Sequence, residues 1–189
     1  MSEILEPTGD VARWQSLVAE AEKHAGVRLD EELESYLVFT LMRWLRRPDM
    51  ASRILALDFL ESFHQQARRR SESLRDVGDQ CLLYSGLFPE RAERRRVRVS
   101  YYVDLGRSAY HSLADGLNEL ARLFERLAEE FVSAMDILQA IRSVGGQPVG
   151  LTPLQAHDLW TDTGSRSARA ELARHTTAEP LSGNPRLRH

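Results

Sequence analysis

The amino-acid sequence predicts an all-α fold: a single-domain helical bundle of about six or seven helices, one of them long and heptad-patterned. Three observations lead there. Apolar residues recur at helical spacing along most of the chain, and Gly, Pro, Asp and Thr fall where such helices should start and stop. Leu113, Leu117, Leu120, Phe124, Leu127, Phe131, Ala134, Leu138 and Ile141 recur at alternating steps of four and three, a heptad seam. Only "VRVSYYV" at 97–103 alternates like a strand; it has no partner strand, and a lone strand is not stable.

Taken in order, Asp10 is the expected cap of a first helix reaching Ala25, with Val11, Trp14, Leu17, Val18 and Ala21 on one face and Gly26 as its end. Asp30 opens a second helix through "EELESYLVFTLMRWLRR", closed by Pro48. Between Tyr36 and Leu45 it is apolar on nearly every side, which predicts the buried centre of the bundle. Asp49 caps a third helix, from about Met50 through the "ARRR" at 67–70. Asp58, Glu61, Ser62, Gln65 and Arg69 form its solvent stripe; Leu55, Ala56, Leu57, Phe59, Leu60 and Phe63 form its apolar arc. A fourth helix carries Leu74, Val77, Cys81 and Leu82 inward and ends at Gly86 and Pro89.

Ser100 is the expected cap of the next helix, with Asp104 in its first turn. The heptad helix should then run from about Ser112 to Ser143, with Asp115–Gly116 as a place to bend or break and Gly145–Gly146 as its end. "TPLQ" at 152–155 reads as a capping box: Thr152 as cap, Pro153 at the first helical position and Gln155 at the third. A short helix to about Thr161 and another from Ser165 to His175 complete a domain spanning 1–175. From Thr176 the chain has little to bury, and 176–189 reads as a flexible tail.

A chain of 189 residues with 42% hydrophobic content is long enough to bury a core without a disulfide or metal staple. The lone Cys81 favours a reducing compartment, the acidic start lacks the basic and apolar regions of a signal peptide, and "YLVFTLMRWL" is about half of a membrane span. The expectation is a cytoplasmic protein with neither a membrane partner nor a cofactor. Net charge is −3, unevenly spread: residues 1–42 hold nine acidic and three basic side chains, residues 43–98 eight and thirteen, residues 99–189 eleven and nine.

The positive band ends in "PERAERRRVRVSYYVDLG", which sets Arg91, Arg94, Arg95, Arg96 and Arg98 beside Tyr101 and Tyr102. Arginines beside stacking tyrosines are the equipment of a single-strand binder. Two facts weigh against that: the net charge is negative, and of 25 basic residues only Lys23 is lysine, so arginine is simply the default cation here. The reading these facts favour is a solvated face pairing with the acidic 1–42 segment or with "ERLAEE" at 125–130.

The most enzyme-like feature is "ESFH", where Glu61 and His64 sit three apart, the spacing that places two metal ligands on one helix face. A di-metal bundle needs a second such pair, and the sequence has none; Glu20–His24 and Glu171–His175 are spaced by four. Cys81 falls on an apolar seam, where a thiol behaves as a small hydrophobe. Ser85 and Ser108 lie in no nucleophile motif, no glycine loop fits a nucleotide, and His111 beside Tyr110 and Asp115 suits a local hydrogen-bonded cluster.

"CLLYSGLFPERAERRRVRVSYYVDLG", residues 81–106, resembles part of an uncharacterised all-helical bacterial protein family. That resemblance implies an all-helical fold and no activity. The function expected first is a non-enzymatic interaction or regulatory protein that binds another protein, or itself as a homodimer through the 113–141 seam. The alternatives are a nucleic-acid-associated regulator using the Arg91–Arg98 patch with Tyr101 and Tyr102, and a metal-dependent helical-bundle enzyme centred on Glu61 and His64.

Overall fold

The computed structural model describes residues 7–44, 54–116 and 120–175. Among these there are ten α-helices and no strand: α1 (Pro7–Ala25), α2 (Glu31–Trp44), α3 (Leu55–Ser62), α4 (Ala67–Leu87), α5 (Glu90–Arg94), α6 (Val99–Ala114), α7 (Ala121–Glu129), α8 (Phe131–Val144), α9 (Pro153–Thr163) and α10 (Arg166–His175). The class is the expected one. The count exceeds six or seven in part because the expected 112–143 helix is divided into α7 and α8 and because a short α5 stands between α4 and α6. The expected cap Asp49, the stop at Pro48, seam residue Leu117 and the 176–189 segment lie outside the described residues.

Punctuation is where local chemistry decides the outcome. Asp30 Oδ1 accepts from the Glu32 and Leu33 N–H groups at 3.0 and 3.1 Å, capping α2. Thr152 and Gln155 close the capping box, with Pro153 opening α9. α1 begins ahead of Asp10, which sits in its first turn rather than at its cap. It ends at Gly26, whose φ of +64° favours a residue without a Cβ. Ser100 does not cap α6. It lies inside the helix and donates to Asp162 Oδ2 at 2.7 Å, while Arg98 stands at the cap position.

The long expected third helix is two. α3 ends at Ser62, residues 63–66 turn, and "ARRR" opens α4. α4, not α2, is the central helix: every residue from Val77 to Leu87 is buried, and α3, α6 and α8 pack around it. The 36–45 stretch, apolar on nearly every side, points to α2 instead, but Phe39 within it is 57% exposed. α4 was disguised by Asp79, Gln80 and Ser85, all fully buried. Gly86 lies inside α4 rather than ending it, because a Cβ there would collide with Leu138 of α8.

The heptad stretch is likewise divided. α6 ends at Ala114, with Asp115 as its C-cap, and a second interruption at Glu130 separates α7 from α8. Leu113, Phe124, Leu127, Phe131, Ala134 and Leu138 are buried within the single chain, whereas Leu120 is exposed. Arg126 of α7 pairs with Asp30 and Glu32 at the start of α2. At the far end, Asp136 of α8 accepts from Ser165 Oγ at 2.5 Å and the Arg166 N–H at 2.8 Å, fixing the start of α10. No helix among the described residues is long and apolar enough to cross a membrane.

Candidate functional site

The densest polar cluster lies where α2, α4 and α6 meet. Asp79 is wholly buried; its Oδ1 accepts from the Tyr36 and Tyr110 hydroxyls at 2.6 and 2.8 Å, and its Oδ2 from the Trp44 indole N–H at 3.3 Å. Arg43 and Arg75 approach the same oxygen at 3.6 and 3.9 Å, and Arg43 also bridges to Asp76. Burial pushes Asp79 above the ordinary aspartate value, and the tyrosine hydroxyls, Arg75 and the indole pull it back. The two tyrosines are pushed well above theirs, first by burial and then by the facing carboxylate. They remain neutral donors, so the cluster ties three helices together through one acceptor.

Sequence reasoning missed this cluster. The available signal was a lone carboxylate inside "VGDQCLLYSGLF", a stretch too apolar to turn one side to water.

The arginine patch is partitioned by the fold. Arg91 stacks on Phe88 and Tyr84, 4.9 and 5.3 Å from the ring centres. Arg98 pairs with Asp158 and Asp162 of α9, rather than with the 1–42 segment or residues 125–130. Arg94, Arg95 and Arg96 are exposed, and Arg96 leaves α5 with a φ of +57°. Of the tyrosines, Tyr101 is 40% exposed, but Tyr102 is buried edge-on to Tyr84 with ring centres 5.5 Å apart. One ring of the pair therefore remains available for stacking.

Glu61 lies in the last turn of α3 and His64 in the turn beyond it, both exposed, joined through the His64 N–H to the Glu61 carbonyl at 3.0 Å. Glu61 lines a polar cleft of about 70 Å³ with Asp58, Asp76 and Gln80. Among the described residues no three His, Cys, Asp or Glu side chains are placed to hold a metal ion. Cys81 is fully buried, and burial drives its thiol well above the usual range. Ser85 donates to the Cys81 and Leu82 carbonyls, and Tyr110 turns to Asp79 rather than to His111, which is exposed.

α3 departs most from expectation. Its intended solvent stripe partly faces inward: Ser62 is fully buried and Asp58 half-buried, and Gln65 beyond the helix accepts from Ser73 of α4 at 2.7 Å. Leu55 and Phe59 also face the fold. Ile54, Leu57, Leu60 and Phe63 instead face solvent, 57, 51, 60 and 42% exposed. Their three-residue spacing makes an inclined ridge across the outer face. α3 thus carries apolar side chains on both its packed side and its solvent side.

No protein-family model, no curated protein and no solved structure matches the chain.

Proposed function

We propose that this protein acts by binding another protein on the outer face of α3, without chemistry of its own. The observation that carries the reading is the four-residue apolar ridge Ile54–Leu57–Leu60–Phe63 on a helix whose opposite side is already packed. Single exposed apolar residues, such as Leu154 on α9, are ordinary on a protein surface; four in register form a patch of the kind that marks an interface.

A photo-crosslinking residue placed at Leu60 in cells tests it. A discrete protein adduct that disappears on adding Leu57→Asp, and that is absent when the same group sits at Leu154, is the expected result. No discrete adduct, or the same adducts from both positions, overturns the reading.

A second reading, docking on nucleic acid, is favoured by one observation: Arg94, Arg95 and Arg96 are exposed in succession, five to seven residues ahead of the 40% exposed Tyr101. Anisotropy titrations with labelled single- and double-stranded oligonucleotides test it. Binding that weakens steeply with salt and is lost in Arg94→Glu/Arg95→Glu/Arg96→Glu supports it, and no binding at low salt removes it.

A further inference from the structure

We infer that the occupant of the α3 face is an acidic amphipathic helix of a partner protein, its apolar side on the Ile54–Leu57–Leu60–Phe63 ridge and its carboxylates against Arg68, Arg69 and Arg70. This rests on the docking role proposed above and adds the chemistry of the partner.

The ridge does not end in neutral surface. Beyond Phe63 the chain turns through 64–66 and enters α4 with three consecutive arginines. The Arg70 guanidinium stands 4.8 Å from the centre of the Phe63 ring, so the positive group and the last apolar side chain of the ridge are in contact. Arg68 and Arg69 are exposed. Among the described residues Arg68 pairs with Glu72 at 3.3 Å, with side chains 93 and 66% exposed, an arrangement of little intrinsic worth that an incoming carboxylate can replace. The first turn of α4 contains no acidic residue. Cations there oppose the helix dipole, so the triplet disfavours its own helix until negative charge is brought to it. Apolar ridge and adjoining cations together describe the complement of one ligand: apolar residues at helical spacing with carboxylates at one end. A second helix is the shape that accepts an inclined row at three-residue spacing.

An anionic bilayer offers apolar and negative groups as well, but the charges of this chain disfavour it. A bilayer is flat and would also take in Glu61, which is exposed in the last turn of α3 and lines the cleft toward α4. An extended anionic surface would also meet the rest of the chain, which carries net charge −3 with nine acidic against three basic residues in its first 42, whereas a helix meets only the ridge and the arginines.

The test uses the full-length protein and a fluorescein-labelled synthetic helix of about five turns, with leucines along one face and glutamates at one end. A twin peptide has lysines in place of the glutamates. Saturable binding of the acidic peptide, about tenfold tighter than its twin and weakened by salt, is expected. Arg68→Glu/Arg69→Glu should reverse the preference, and Leu57→Ser/Leu60→Ser should abolish binding of both peptides. Equal binding of both peptides that the serine variant loses overturns the acidic partner while leaving the docking face standing. No binding of either peptide overturns the inference. So does capture by phosphatidylcholine vesicles containing about 30% phosphatidylserine in place of the acidic peptide, which would assign the face to a membrane.

Discussion

Asp79 is a single carboxylate on which three helices depend, and its worth is set by what its loss would strand. Asp79→Ala would leave two tyrosine hydroxyls and an indole N–H facing an apolar void. Removing one partner from such a buried set costs about 3–5 kcal/mol, and urea unfolding should show a loss of that size. Asp79→Asn keeps an oxygen for Tyr36 and Tyr110 but turns an amide donor toward the Trp44 indole and the two guanidinium groups. A smaller loss of about 1–3 kcal/mol is expected. The sign of the pH dependence follows from the raised native value of Asp79. Between the ordinary aspartate value near 4 and that raised value, the folded chain binds more protons at this site than the unfolded chain. Stability from Asp79 is therefore full below the window and falls as pH rises through it. The advantage of wild type over Asp79→Asn should narrow across the window and then stay constant. Widening with pH would mean that hydrogen bonding outweighs desolvation.

At the scale of elements, most short-range signals are legible and the long-range ones are not; the caps expected at Asp10 and Ser100 and the stop expected at Gly86 fall inside helices. The capping box at Thr152–Gln155, the Asp30 cap and the stops at Gly26 and Gly145 are chemistry between near neighbours, and each stands where the sequence placed it. Which side of α3 faces inward is decided by α4, through Ser73, Asp76 and Gln80, eleven to eighteen residues beyond the end of α3; no periodicity within α3 carries that information. The role of α4 was hidden for the converse reason, since its buried polar residues find partners on helices remote in sequence. Close approach of α4 and α6 depends on Gly106, where a Cβ would lie 2.8 Å from the Cys81 Cβ and 2.5 Å from the Phe131 ring. Gly106→Ala should gain helix propensity but force these helices apart, for a net loss of about 1–3 kcal/mol. Thermal unfolding of the variant measures it, and a rise in the midpoint would show that the neighbouring side chains can give way.

For the whole molecule, the issue is how one apolar seam is spent. A heptad repeat serves either a second copy or the interior of its own chain, and the break at Asp115 lets α6 fold against α7 and α4. Phe131, from the middle of the seam, is fully buried with its ring 5.9 Å from that of Tyr110 and Gly106 pressed against it. It therefore joins the seam to the Asp79 cluster in one core. Phe131→Ala should cost about 3–5 kcal/mol, and its effect should couple with that of Asp79→Asn because both act on Tyr110. Because the seam closes within one chain, the urea midpoints of wild type and variant should not move when protein concentration is varied about a hundredfold. A seam shared between two copies would couple folding to association and raise the wild-type midpoint with concentration, more steeply than that of Phe131→Ala. A concentration dependence of that kind would transfer the core role of the seam to a dimer.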